Sequence, residues 1–316
     1  MTSRDKVLRA VTRRGPTPFP KHARPCAALS EHFRQKLRVT DLDAALGFDM
    51  RWLACERPAR ADLGRRWPAS EFHAAFRFAE VARAADDLRE RGIATVSSYE
   101  CGTFEEAHAL RGMDDLMVSL IEQPAATRRW LMEIDANKAR IAAGYASAGV
   151  DIVFIGDDMG SQRALLVSED MWSDFFRPPL ERIIDAIREA RPHVAIAYHS
   201  CGHIEPLVPA LLEAGIDVLE SVQPECNDVP RLVAAFHGRL AFWGCIGAQS
   251  TMARGTAAEV REAVLSTAAL FPPGSGWIVA PAHTLEPDTP PQNLEAFLDA
   301  VEEADRLALP TQEERR

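Results

Sequence analysis

No stretch of this chain reaches the roughly 18 consecutive apolar residues of a membrane-spanning helix. Met1-Thr2-Ser3-Arg4-Asp5-Lys6 leads into no apolar leader, so a cytoplasmic protein with no membrane contact is expected. Long basic runs are also absent, and the net charge is −10 over 316 residues. Nucleic-acid and anionic-membrane surfaces need clustered Lys and Arg. The expected partner is therefore a small molecule, with no nucleic acid. The six cysteines, Cys26, Cys55, Cys101, Cys201, Cys226 and Cys245, show no Cys-x-x-Cys spacing. That excludes a dense disulfide framework and favours free thiols. No strand-like run is followed by Gly-x-Gly-x-x-Gly, the turn of a dinucleotide-binding sheet. Low complexity is confined to the polar tail Thr311 to Arg316, which reads as frayed.

What the chain does have is 47% hydrophobic residues, ample for a sizeable core, and one stretch that gathers chemistry. The apolar run Val194-Ala195-Ile196-Ala197 feeds Tyr198-His199-Ser200-Cys201-Gly202-His203, and a helical pattern follows from Ile204 to Leu212. This reads as a buried strand entering a βα loop. Strand side chains repeat every two residues, so His199 and Cys201 share one side at the C-terminal end. Imidazole and thiolate are both zinc ligands, but a site needs at least three protein groups. The same pair also describes a buried Cys packed as a small hydrophobe beside a hydrogen-bonded His.

The order of elements supports a site at that position. A first helix, capped by Thr2 or Ser3, carries Val7, Leu8 and Val11. Pro16, Pro18 and Pro20 hold Phe19 in an extended, edge-like strand that runs into the cationic loop Lys21-His22-Ala23-Arg24-Pro25. A second N-terminal strand is expected over Gly47 to Leu53, and the stretch from 56 to 92 is rich in Arg and Ala and helical in places. Six further strands follow, at 93–99, 151–155, 194–199, 217–222, 240–243 and 277–280, with helices between them. Ser168 caps one of these helices, which Pro178-Pro179 should kink. Eight alternating strands predict one domain over residues 1–316, a (β/α)8 TIM barrel with regular βα units across 93–309.

In such a barrel the strand ends converge on one mouth, and Glu100, Cys101, Asp157, Asp158, His199, Cys201, Gln223, Cys245 and His283 all fall there. Glu220 lies among Val218, Leu219 and Val222, where a carboxylate must either reach solvent or be held by a metal or an Arg. Cys245 is a third thiolate or a small residue between Gly244 and Ile246; His283 is a ligand or a hydrogen-bonded structural residue. Asp157 and Asp158 point to opposite sides of their strand, so one can face the mouth while the other caps a loop or pairs with Arg163.

Five segments together resemble the uroporphyrinogen decarboxylase superfamily. They are Gly156-Asp157-Asp158-Met159-Gly160, the His199/Cys201 stretch, Val222-Gln223-Pro224-Glu225, Phe242-Trp243-Gly244-Cys245-Ile246 and Ala280-Pro281-Ala282-His283-Thr284-Leu285-Glu286-Pro287-Asp288-Thr289-Pro290-Pro291-Gln292-Asn293. The resemblance runs nearly end to end and is strongest from 150 to 300. It implies the barrel and one of two chemistries: decarboxylation of a porphyrinogen, or zinc-dependent methyl transfer from methylcobamide to a thiol. The decarboxylases carry an Arg-rich motif after the first strand and a catalytic Asp after the second. Here only Arg24 and Arg51 offer related chemistry, and no Asp follows Trp52.

The methyltransferase branch binds zinc through a His-x-Cys pair, which His199 and Cys201 match. Its later Cys falls where this chain has His283, and an acidic ligand places Glu220 among the candidates. The expectation is a zinc-dependent methyltransferase using a corrinoid as methyl carrier, with a corrinoid protein as the candidate macromolecular partner. The metal candidates are His199, Cys201, His283, Glu220 and Cys245; Asp157 and Asp158 are the catalytic candidates; Arg24, Arg51, Glu100, Cys101 and Gln223 are candidates for holding substrate. The rivals are a metal-free decarboxylase of a polycarboxylate and a non-catalytic corrinoid or small-molecule binder.

Overall fold

The computed structural model describes residues 1–15, 17–56, 76–98, 100–272 and 274–308. The tail from Thr311, residues 57–75 of the Arg- and Ala-rich stretch, the strand-end Tyr99 and the side chain of Cys101 lie outside the described residues. The strands are β1 (Met50–Leu53), β2 (Ala94–Ser97), β3 (Glu100–Cys101), β4 (Ile152–Gly156), β5 (Ala195–Ser200), β6 (Val218–Ser221), β7 (Ala241–Ile246) and β8 (Trp277–Pro281). They alternate with helices in an α/β fold whose strand pairs are parallel. The chain forms two compact units, one from Met1–Arg51, Gly92–Ala94 and Asp217–Arg316, the other from Trp52–Arg91 and Thr95–Ile216.

In the second unit, β4 pairs with β2, with β3 and with β5, the last in the register Ile152↔Ala195 through Gly156↔His199. Every residue of β4 and β5 is buried, as the unbroken apolar runs of a parallel sheet covered on both faces require. Gly156 is needed at this pairing because a Cβ there would overlap the backbone of His199. The helices Pro124–Ser147 and Arg177–Ala190 pack against each other, the second through Ile183, Ile184 and Ile187. Between the strands and this layer, Lys138 and Glu106 form a buried ion pair at 2.5 Å. The helix expected to kink at Pro178-Pro179 is instead two helices, Glu169–Phe175 and Arg177–Ala190. Both prolines sit in the first turn of the second, where a missing N–H costs no intrahelical bond.

In the first unit, β6, β7 and β8 pair in order. The strand expected around Phe19 is reduced to two isolated parallel bridges, Lys21↔Val279 and Pro25↔Leu285. Pro18, Pro20 and Pro25 have no N–H with which to continue a ladder. The carbonyl of Pro20 accepts from Val279 N at 2.8 Å, and His22 N donates to Val279 O at 3.0 Å. Helices Ala257–Ala268 and Pro291–Ala308 pack on each other. No helix among the described residues is long and apolar enough to cross a membrane.

Candidate metal centre

The β4–β5 register determines what stands beside His199. With Gly156 opposite His199, the parallel ladder brings Asp158, two residues on, beside Cys201. The geometry follows. Asp158 Oδ1 and Cys201 Sγ each lie 3.3 Å from His199 Nε2, and the Cys201 N–H donates to Asp158 Oδ1 at 2.8 Å. The three potential ligand atoms lie within 4.8 Å of one another, and this is the convergent group of His, Cys, Asp and Glu among the described residues. His199 is buried, with its ring centroid 5.9 Å from that of Phe154; Asp158 and Cys201 keep partial access to solvent. Burial opposes ionisation of Asp158, but the His199 ring and the Cys201 N–H outweigh it and hold the carboxyl near 2.

The donor set of one imidazole nitrogen, one sulfur and one carboxylate oxygen suits zinc, which takes all three and leaves a fourth position for a ligand from solution. Asp157 turns the other way. Its carboxylate accepts from Phe104 N at 3.2 Å and Glu105 N at 2.9 Å, capping the helix Thr103–Arg111. Burial and the charge of Glu105 push it up to about 8, against the pull of those two N–H groups. A Cβ on Gly102 would overlap Asp157 Oδ2, so a larger residue there would displace this carboxylate. Glu100, opposite Ile155 on β4, is buried in the same unit.

Glu220, Arg24, Arg51, Cys245, Gln223 and His283 belong to the first unit. Glu220 is buried on β6 and lies 3.3 Å from Arg24, so the Arg alternative is realised for this carboxylate. Arg51 donates to the carbonyls of Phe48 and Met50 and lies 3.5 and 3.6 Å from Asp41 and Asp43. Cys245 is buried at φ +70°, and burial together with Glu220 pushes its thiol well above the usual range. Gln223 is buried just beyond Ser221 and Val222, both at positive φ, a conformation that a β-branched residue such as Val222 rarely adopts. His283 follows β8 and is half-buried. Cys26, Cys55, Cys201, Cys226 and Cys245 are free thiols.

The sequence profile described as Uroporphyrinogen decarboxylase (URO-D) matches residues 60–304. The chain belongs to the uroporphyrinogen decarboxylase family. Among solved structures, a methyltransferase from Methanosarcina mazei has the same fold as this URO-D protein: TM-score 0.75 at 17% identity, covering 96% of this chain and 99% of the other. A B12-independent methionine synthase from Shewanella sp. W3-18-1 aligns over 72% of this chain and 68% of its own, with 18% identity and a TM-score of 0.49. Xylanase 10B from Thermotoga maritima aligns over 97% and 100%, with 10% identity and a TM-score of 0.50. No curated protein matches the chain.

Two features of the site are not legible in the sequence. Asp158 was legible as a mouth carboxylate but not as a member of the His199/Cys201 group, because its place depends on the register between two strands. Ser200, between the two candidate ligands, accepts a hydrogen bond from Met159 N at 3.0 Å. The strand period was the available signal, since it turns Ser200 away from the side that His199 and Cys201 share.

Proposed function

We propose that the protein is a zinc-dependent methyltransferase that moves a methyl group between a corrinoid and a thiol or similar small acceptor. The observation that carries this reading is the convergence of Asp158 Oδ1, His199 Nε2 and Cys201 Sγ within 4.8 Å at the ends of two adjacent strands. Zinc bound there would supply a Lewis acid that keeps an acceptor thiol deprotonated at neutral pH. The chain's own groups have separate tasks. His199 and Cys201 would hold the metal from the end of β5. Asp158 adds negative charge and fixes the Cys201 backbone through its N–H. Asp157 organises the adjoining helix terminus instead of acting on substrate. A corrinoid protein is the proposed methyl donor in the cell.

The decarboxylase alternative would use Arg24 and Arg51 to receive substrate carboxylates. Arg24 is next to Glu220 and Arg51 next to Asp41 and Asp43, which favours the metal reading. Protein purified without chelator should carry close to one zinc per chain. With methylcobalamin as donor, one of a panel of small thiols should be methylated at a rate that falls on zinc removal and returns on its restoration. Uroporphyrinogen consumption with release of carbon dioxide, insensitive to chelator and to Cys201→Ser, would overturn the reading.

A further inference from the structure

The two loops that carry the proposed ligands are joined by a seam that uses none of the ligand atoms except one oxygen of Asp158. After β4 the chain makes a small hairpin, with an antiparallel bridge between Gly160 and Leu165 and Leu166 N donating to Met159 O at 2.8 Å. After β5 it runs through Cys201, Gly202 and His203. Three bonds cross between them. Met159 N donates to Ser200 Oγ at 3.0 Å, Cys201 N to Asp158 Oδ1 at 2.8 Å, and His203 N to Ser161 O at 2.7 Å.

Two glycines bring the loops close enough for these bonds. A Cβ on Gly160 would stand 2.6 Å from His203 N and 2.7 Å from Cys201 O. A Cβ on Gly202, which also has φ +77°, would stand 2.5 Å from the Gly160 carbonyl carbon. Contacts that short force backbone to move, because no flexible side chain is available to yield. Met159 and Ser200 are fully buried, so the bond between them is made away from water and leaves an unsatisfied N–H if broken.

We infer that Ser200, Gly160 and Gly202 are positioning residues that hold Asp158 and Cys201 in ligand geometry before any metal arrives. The inference rests on the metal reading above. Its physical content is that a preformed site binds metal without first ordering two loops, an ordering that otherwise subtracts from affinity. Ser200 is the informative member, since it is not one of the three converging ligands and its hydroxyl acts on their neighbours, accepting from Met159 N at 3.0 Å and donating to Cys201 O at 3.3 Å.

The test has two arms on the full-length protein. In the metal-free wild type, backbone amides of Met159, Cys201 and His203 should exchange with deuterium as slowly as those of β4 and β5. Exchange as fast as that of exposed loops would overturn the inference, whatever the metal data show. In the second arm, cobalt(II) affinity is read from its thiolate absorption by competition with a chelator. Ser200→Ala should weaken binding about 10- to 100-fold, the range seen when a group that orients a ligand is lost, while the apo protein stays folded with a melting temperature lowered only by the unpaired Met159 N–H. Ser200→Thr, which keeps the hydroxyl, should restore it, and Gly160→Ala should weaken binding at least as much as Ser200→Ala. Unchanged cobalt affinity in Ser200→Ala overturns the inference. Wild-type protein that binds no cobalt, or Cys201→Ser that binds it as well as wild type does, overturns the metal reading instead, and the amide arm still decides the seam.

Discussion

His22 illustrates how strongly burial acts on a single side chain. Its ring packs 5.6 Å from those of Phe48 and Trp243, and burial, reinforced by Arg24 and Arg51, depresses its pKa to about 3. The folded chain therefore holds His22 neutral, whereas the unfolded chain protonates it near the ordinary value of about 6.5. Between those values unfolding takes up a proton, so the stability present above pH 6.5 is lost as pH falls toward 3. The slope from this one group is at most about 1.4 kcal/mol per pH unit. Replacing His22 by Gln should flatten the pH dependence of unfolding between pH 6 and 4 relative to wild type, even though the variant starts less stable. Urea midpoints across that range measure it, and parallel curves for the two proteins would show that His22 does not stay neutral in the fold.

Elements follow from local sequence where one physical rule dominates. The helix Ala257–Ala268 begins at a capping box: Thr256 Oγ1 accepts from Glu259 N at 3.3 Å, and Glu259 accepts from Thr256 N at 2.7 Å. Thr256→Ala should cost about 1 kcal/mol, the usual value of a lost cap, read as a lower urea midpoint with an unchanged slope. The strands β4, β5, β6, β7 and β8 were legible as short apolar runs because both their faces are buried, which removes the need for alternation. The extended segment around Phe19 was legible as extended but not as mere bridges, because the count of missing proline N–H groups matters only once a partner strand is known. The helix break at Phe176 was missed for a related reason: a Pro-Pro pair kinks a helix interior but fits a helix start, and the sequence alone does not say which turn it occupies. At the site, the His199/Cys201 spacing was visible as a strand period. Asp158 was not visible as its neighbour, since only the pairing Gly156↔His199 brings it there.

At the scale of the whole chain, a bound metal contributes to folding as any ligand of the native state does. Unfolding scatters Asp158, His199 and Cys201, so metal that binds the three together favours the folded chain by RT ln(1 + [L]/Kd). At free zinc 100 times the dissociation constant this amounts to about 2.7 kcal/mol, which for a chain of 316 residues corresponds to a rise in melting temperature of roughly 5 °C. The effect should follow the ligands and not the overall charge of −10, which would attract any divalent cation weakly and without dependence on one thiol. Zinc should therefore raise the melting temperature of the chelator-stripped wild type, and magnesium at the same concentration should leave it unchanged, because a hard cation gains little from sulfur and imidazole. Cys201→Ser should melt at the same temperature with and without zinc. A zinc shift of equal size in Cys201→Ser would place the stabilising ion elsewhere on the chain and remove the thermodynamic support for a metal centre at the end of β5.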